Sequence, residues 1–362
     1  MKTICLTVIS DLVYDQRMQR ISRSLSQNGY QVVLVGKRLR SSASANNEPY
    51  RQKRLYCFFA TGKLYYLEFN IRLFFFLLFR KADVICAVDL DTIIPVYLVS
   101  ALKGTKRVYD AHELFTEMKE VVSRPGVYRF WKWIEQKMLP KFKSGYTVSQ
   151  SIVREFEKRY GVQYTLVRNC PCLLDIPVTE QQERFILYQG AVNEARGMEW
   201  LIPAMQTVKA PLHIYGSGNY LAQTKELISR HHLGDKVFLH PPLPPAQLAR
   251  VTVSAYIGIN LVENTGLNQY FSLANKFFDY IQCGIPQVTM RYPEYEQVNN
   301  DYEVAVLVDN LDETTISEAI NRLLTDNDLY DRLRENCLRA RQVYNWQEEE
   351  KKLLSFYHNL FT

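Results

Sequence analysis

Short β-branched runs alternate with helix-length segments along the whole chain, and this rhythm leaves few folds open. The chain begins with the strand-like "TICLTVI", the loop "SDLVYDQR", the helical pattern "MQRISRSLSQNG" and a second strand "YQVVLVG", with Gly29 and Gly36 closing the last two. Strands this short and this apolar bury both faces, which predicts a parallel sheet covered by helices. "DVICAV", "KRVYDAH", "YTVS" and "TLVRN" read as further strands of the same sheet. The proline-bearing, aperiodic "CPCLLDIPVTEQQER" then interrupts the pattern and reads as a linker. Beyond it the alternation restarts, with strands "FILYQG", "LHIYGSG", "KVFLHPP", "YIGINLV", "PQVTM" and "VAVLV" separated by helical segments and followed by a long charged helical tail. Two complete α/β units in tandem are expected, and 362 residues are enough for two cores.

Charge divides the chain at the same place. Residues 1–170 hold 28 Lys and Arg against 14 Asp and Glu, a balance of +14, whereas the remainder holds 16 against 24, or −8. The basic half is suited to something anionic: a membrane surface, a phosphorylated substrate or nucleic acid. Its segment "GKLYYLEFNIRLFFFLLFRK" has no uninterrupted apolar run near the roughly 20 residues that span a bilayer, and is expected to be a buried packing helix rather than an interfacial one. No secretory leader is visible in "MKTICLTVISDLVYDQR", so a cytoplasmic location is expected. The seven cysteines are odd in number and scattered, which fits reduced thiols. "CPC" at 170–172 lacks the second pair or histidine that a zinc site needs, and no acidic metal cluster is evident.

In open parallel sheets, ligands bind where strands end and helices begin. Three such turns in the second half carry chemistry. In "YQGAVNEARGMEW", Gly190 ends a strand and Arg196 with Gly197 opens a helix, a natural anion site. "YGSG" at 215–218 contains Gly216 in a turn that admits close approach of a ligand. "SLANKFFDYIQCGIPQV", residues 272–288, begins a helix that Ser272 or Asn275 can cap, with Lys276 in its first turn and Asp279 three residues on. A first-turn cation opposes the helix dipole by about 0.3 to 1 kcal/mol. Either a surface pair with Asp279 or an anion bound between cation and helix offsets it. Arg196 at an equivalent turn favours the anion, specifically a diphosphate, with Asp279 accepting from a ribose diol. In the first half, "VYDAHELFTEM" gathers Asp110, His112, Glu113 and Glu117 at a strand end. His112 is either a structural helix cap or part of an active site facing the diphosphate across a cleft, with Asp15, Arg17 and Arg20 of "SDLVYDQRMQR" on its border.

In this order, "YQGAVNEARGMEWLIPAM", "LHIYGSG" and "NKFFDYIQCGIPQV" resemble the nucleotide-binding half of family 4 glycosyltransferases, retaining enzymes of the GT-B fold. The resemblance implies two Rossmann-like domains with parallel sheets facing each other across a cleft. An acceptor-binding domain would span 1–170, a linker 171–183, a donor-binding domain 184–342 and a C-terminal helix 343–362 that crosses back. It implies that Gly190, Arg196, Gly216, Asn275, Lys276 and Asp279 bind the donor, that His112 and Glu113 are catalytic, and that Asp15, Arg17 and Asp110 lie on the acceptor side. The family's paired glutamates are separated by seven intervening residues; Phe271 stands at the first position and Asp279 at the second, as in branches that carry "NK" before the acidic helix. Ala191 replaces a frequent basic residue, a charge that Lys276 would supply.

The function so implied is transfer of a sugar, with retention, from a nucleoside-diphosphate sugar to a hydroxyl of a glycan or lipid-linked acceptor in bacterial surface polysaccharide synthesis. No metal or other cofactor is required, and peripheral contact with an anionic membrane at the inner face of the cell membrane is expected. Two alternatives remain from the residues: a nucleotide-sugar epimerase of the same architecture, and a non-enzymatic binder of anionic lipid or nucleic acid. No recognised nucleic-acid motif supports the last.

Overall fold

The structure is a computed structural model that describes residues 1–40, 42, 44, 47–174 and 184–362. It contains two compact units, one of Met1–Asn169 with Glu349–Thr362 and one of Cys170–Glu348. Of the stretch 171–183 expected to link them, residues 175–183 lie outside the described residues.

The first unit runs β1 (Thr3–Asp11), α1 (Gln16–Gln27), β2 (Gln31–Arg38), β3 (Arg51–Tyr56), α2 (Gly62–Leu78), β4 (Val84–Val88), α3 (Ile93–Lys103), β5 (Lys106–Ala111), α4 (Lys119–Val122), α5 (Pro125–Met138), β6 (Gly145–Thr147), α6 (Gln150–Tyr160) and β7 (Thr165–Leu166). Its seven strands are ordered β3-β2-β1-β4-β5-β6-β7. The recorded pairings are all parallel. β4, "VICAV", is buried at every position, as a strand with helices on both sides must be. β3 and the helices α3 to α6 have no counterpart in the expected elements. β3 is written "RQKRLY", and its basic residues hide an edge strand that has water on one side.

The second unit runs β8 (Ile186–Gln189), α7 (Met198–Ala204), β9 (Leu212–Tyr215), α8 (Leu221–Arg230), β10 (Val237–His240), α9 (Pro245–Ser254), β11 (Ile257–Asn260), α10 (Leu267–Tyr270), α11 (Asn275–Cys283), β12 (Gln287–Met290), α12 (Pro293–Tyr302), β13 (Ala305–Val308), α13 (Glu313–Thr325) and α14 (Asn327–Ala340). The sheet order is β10-β9-β8-β11-β12-β13. In each unit the order reverses beside the first strand, between β1 and β4 and between β8 and β11. At such a switch point the connecting helices leave on opposite faces and a crevice opens at the carboxyl ends of the strands. This is the doubly wound α/β architecture that the sequence rhythm implies, present twice. α15 (Trp346–Phe361) begins in the second unit and from Glu349 onward belongs to the first, where Leu353 and Tyr357 are fully buried.

α2 buries one stripe only. Tyr65, Phe69, Leu73 and Leu77, four residues apart, pack into the unit, while Leu64, Leu67, Ile71 and Phe75 on the other side are about half exposed. The expectation of a simple packing helix therefore accounts for half of it. Among the described residues, no helix is long and apolar enough to cross a membrane. All seven cysteines are free thiols, with Cys170 buried and Cys172 exposed.

Candidate functional site

In the second unit the switch point brings together the turn after β8 and the start of α11. Backbone hydrogen bonds build the turn: the Glu263 amide donates to the Ala195 carbonyl at 3.1 Å, and the Val192 amide to the Ser217 carbonyl at 3.0 Å. Ala195 adopts φ +62°, a left-handed conformation that L-residues adopt at a cost of about 1 to 2 kcal/mol. That strain sits immediately before Arg196. Gly216 serves this turn: a Cβ there would lie 1.9 Å from the Gly190 carbonyl oxygen, so its missing side chain lets the two strand-end loops touch.

α11 is anchored from below. The Tyr280 ring lies across β11, where a Cβ on Gly258 would come within 2.5 Å of it, and its hydroxyl donates to the carbonyls of Leu187 at 3.0 Å and Ile259 at 3.3 Å. Neither Ser272 nor Asn275 caps the helix. The N-cap is Ala274, whose methyl side chain cannot accept a hydrogen bond, and its own amide donates to the Tyr295 hydroxyl at 3.1 Å. The first turn of α11 therefore opens without the side-chain cap that normally satisfies its amides.

Lys276, in that first turn, does not pair with Asp279. Its Nζ lies 3.5 Å from the centre of the Tyr188 ring, and its Cε would be 3.7 Å from a Cβ on Gly190. Asp279 instead accepts from the Gln189 side-chain amide at 3.0 Å, and Gln189 accepts from the Thr252 hydroxyl at 2.7 Å. Burial and the Arg196 guanidinium hold the Lys276 ammonium well below the ordinary lysine pKa, against the pull of Asp279. Among the described residues neither Lys276 nor Arg196 forms an ion pair or a hydrogen bond. Two partly buried cations that raise one another's energy, beside an uncapped helix N-terminus, form an arrangement whose chemistry suits an anion. Gly190, Arg196, Lys276 and Asp279 are thus one cluster; Gly216 supports it through the backbone, and Asn275 is the exposed first residue of the helix.

In the first unit a second cluster occupies the β1–β4 switch point. Arg17 and Asp110 form a buried ion pair at 3.1 Å, with Arg17 also donating to the Val167 carbonyl at 3.2 Å. The His112 Nε2 meets the other Asp110 oxygen at 3.1 Å, and the His112 amide donates to Asp89 at 2.9 Å. The two carboxylates outweigh burial and raise the His112 pKa to about 9, so the ring carries its proton at neutral pH. Arg17 and His112 hold Asp110 below the usual carboxylate range in spite of burial. Asp15 has a structural duty, capping α1 through the Met18 amide and accepting from Ser10. Glu117 turns away to Arg159 and Lys132.

Asp89 and Asp91 were not singled out from the sequence. Both follow β4, Asp89 with φ +50°, and each is pushed up by burial and by the nearby Glu113 carboxylate, Asp91 to about 7. The signal was present in "VICAVDLD", a fully apolar strand ending in two acids, the same pattern that marked Asp110. No group of three His, Cys, Asp or Glu placed to hold a metal occurs among the described residues.

Two family profiles match successive parts of the chain: Glycosyltransferase Family 4 over residues 16–176 and Glycosyl transferases group 1 over residues 175–339. Sucrose-phosphate synthase from Thermosynechococcus elongatus is similar over 100% of this chain and 99% of its own, with a TM-score of 0.81 at 16% identity. HepE of Anabaena, solved in complex with UDP and glucose, covers 99% of this chain and 100% of its own, with a TM-score of 0.78 at 11% identity. In sequence, the chain is 28% identical over 109 residues to a probable sucrose-phosphate synthase 2 of Oryza sativa subsp. japonica, a match to 30% of this chain and only 10% of that protein.

Proposed function

Because this chain belongs to the GT-B glycosyltransferases, with a family 4 domain followed by a group 1 domain, we propose that it transfers a sugar from a nucleoside-diphosphate sugar to a hydroxyl of a glycan or lipid-linked acceptor, with retention, in bacterial surface polysaccharide synthesis. The observation that carries the donor assignment is the pair of cations, Arg196 and Lys276, that form no ion pair or hydrogen bond among the described residues, beside the uncapped start of α11. In transfer, the bond from the anomeric carbon to the diphosphate oxygen breaks and charge accumulates on the diphosphate. Groups already aimed at that charge lower the barrier without reorganising. Arg196, Lys276 and the α11 amides are such groups and meet the charge without a metal ion; Asp279, steadied by Gln189, accepts from the ribose. HepE is solved with UDP and glucose, which makes UDP-glucose the first donor to test.

The acceptor side falls to the first unit. His112, protonated at neutral pH and fixed by Asp110 and Asp89, offers a donor to the sugar or its phosphate. Asp89 and Asp91, beside Glu113, supply carboxyl groups whose pKa values burial pushes up, which suits them to receive the acceptor's proton. Phe271 ends α10 with its ring against Tyr270, so the sugar contact expected of a glutamate at that position must come from elsewhere.

The test is to measure transfer and donor hydrolysis in Arg196→Ala and Lys276→Ala across a panel of UDP-, GDP-, ADP- and TDP-sugars, with and without EDTA. Each variant should fall by about 10- to 100-fold with the preferred donor, the value of a hydrogen bond to a charged group. EDTA should change nothing. Full rates in both variants would remove the diphosphate from this site.

A further inference from the structure

The first unit has a concavity of about 560 Å³ at the end of its sheet remote from Asp110 and His112. β5 begins at Lys106 and reaches Asp110 four residues later, so about 13 Å of strand separates the two places. Ligands of doubly wound sheets bind at the carboxyl ends of the strands. A hollow at the amino ends takes no part in the proposed transfer, and its chemistry needs its own account.

That chemistry is cationic. Lys106 and Arg107 enter from the start of β5, and Lys141 and Lys143 from the segment that leads into β6. The Thr105 and Ser144 side chains add hydroxyls to the same lining. Among the described residues no acid lines the hollow, and none of the four cations forms an ion pair. Elsewhere in this unit cations are matched: Arg23, Arg54, Arg72 and Arg159 each meet a carboxylate at 2.6 to 3.1 Å. Lys106 has a structural reason for its place, since its ammonium donates to the Leu360 carbonyl in the last turn of α15, where helix carbonyls lack partners. The other three have none of this kind. Arg107 lies 5.0 Å from the centre of the Tyr97 ring, and Lys141 lies 4.5 Å from the same ring while donating to its hydroxyl at 3.0 Å. One tyrosine of α3 thus gathers two cations, and Lys141 with Arg107 holds its phenol below the usual pKa. Lys143 forms no hydrogen bond among the described residues. Like charges collected in one hollow repel, and an anion among them reverses the sign of that interaction. Hydroxyls beside ammonium and guanidinium groups are the donors that phosphate oxygens accept from. A bilayer is the wrong match, because Leu360 is the one large apolar residue in the described lining.

We propose that this hollow is a second anion site, which takes the phosphate of a soluble compound of sugar-phosphate size away from the catalytic groups. The Arg107 guanidinium, the Lys141 and Lys143 ammonium groups and the Thr105 and Ser144 hydroxyls hold the phosphate oxygens, and about 560 Å³ leaves room for a sugar ring beyond them. Lys106 ties the hollow to the end of α15, so occupancy stabilises the first unit together with its last helix. The inference does not use the donor site, and each reading can fail without the other.

The test is calorimetric titration with glucose 1-phosphate and with inorganic phosphate at fixed ionic strength. Arg196→Ala/Lys276→Ala in the full chain keeps the donor site out of the signal. Both probes should bind that protein and raise its unfolding midpoint, whereas glucose should do neither. Adding Lys141→Gln/Lys143→Gln, at two exposed positions, should lower the affinity by about ten-fold or more and leave the ligand-free unfolding curve in place. In the otherwise wild-type chain the same pair should leave UDP affinity unchanged. Equal affinity with and without Lys141→Gln/Lys143→Gln would overturn the inference, as would equal binding of glucose or no binding of either phosphate probe. Vesicles of phosphatidylcholine and phosphatidylglycerol separate a headgroup from a soluble phosphate. Flotation that Lys141→Gln/Lys143→Gln abolishes, with glucose 1-phosphate left unbound, would assign the cations to a membrane and overturn the soluble ligand.

Discussion

At the level of single residues, the free protein holds Lys276 at a disadvantage. Burial and Arg196 both oppose its charge, and the Tyr188 ring gives only partial compensation. Lys276→Met should therefore raise the unfolding midpoint of the free protein, equivalent to about 0.5 to 2 kcal/mol, while the stabilisation by added nucleotide disappears. Differential scanning fluorimetry with and without UDP reads both effects. The ligand-free lysine also makes binding pH-dependent. Its pKa is depressed, an anion restores it, and affinity should fall as pH rises through the depressed value. His112 has the opposite sign. Its pKa of about 9 lies above the ordinary 6.5, so its stabilising contribution is complete below about 6.5 and vanishes as pH rises through about 9. His112→Gln should destabilise the first unit at pH near 7 and have far less effect near pH 10, as urea titrations at the two pH values would show. Asp110, with a lowered pKa, loses its contribution only as pH falls below the usual carboxylate range.

Among the elements, α11 is the one on which the donor site depends, and Gly258 decides where it sits. A methyl group at Gly258 would strike the Tyr280 ring and push α11 off β11. Gly258→Ala should then cost about 1 to 3 kcal/mol and weaken nucleotide binding, although residue 258 touches no ligand. Tyr280→Phe keeps the packing and loses two hydrogen bonds, so it should cost less. Equal losses in the two variants, measured by denaturant titration, would contradict this account of the anchor. Much of this element was legible in the sequence. "NKFFDYIQCGIPQV" shows a helix, a first-turn cation and a glycine stop, because apolar spacing and chain reversal are local properties. What the helix start lacks was not legible. Ser272 and Asn275 are both good caps by type, and Tyr295, which diverts the chain at Ala274, is a tertiary contact. Asp279 illustrates the same limit: three-residue spacing left a pair with Lys276 open, and the neighbour that meets Asp279 is Gln189 on β8, which spacing could not reveal. The exposed half of α2 also escaped the sequence, since composition does not say which of two apolar stripes finds a neighbour.

For the molecule as a whole, the alternation of strands and helices was sufficient to give two doubly wound units, because burial on both sheet faces is written into every central strand. The C-terminal helix gives this scale its stability test. Tyr357 is fully buried in the first unit, against Tyr146 and Tyr30. Tyr357→Ala should destabilise that unit by about 3 to 5 kcal/mol. The second unit should be unaffected, so thermal unfolding should separate into two transitions with only the first moved. The central proposal concerns the second unit: Arg196 and Lys276, at the β8–β11 switch point, would hold the diphosphate of a sugar nucleotide. Calorimetric titration of the best-binding nucleoside diphosphate into the wild type, Arg196→Ala and Lys276→Ala measures it most directly. The account predicts affinity lower by about 10- to 100-fold in each variant and uptake of protons on binding to the wild type above the depressed Lys276 pKa. Unchanged affinity in both variants would contradict it.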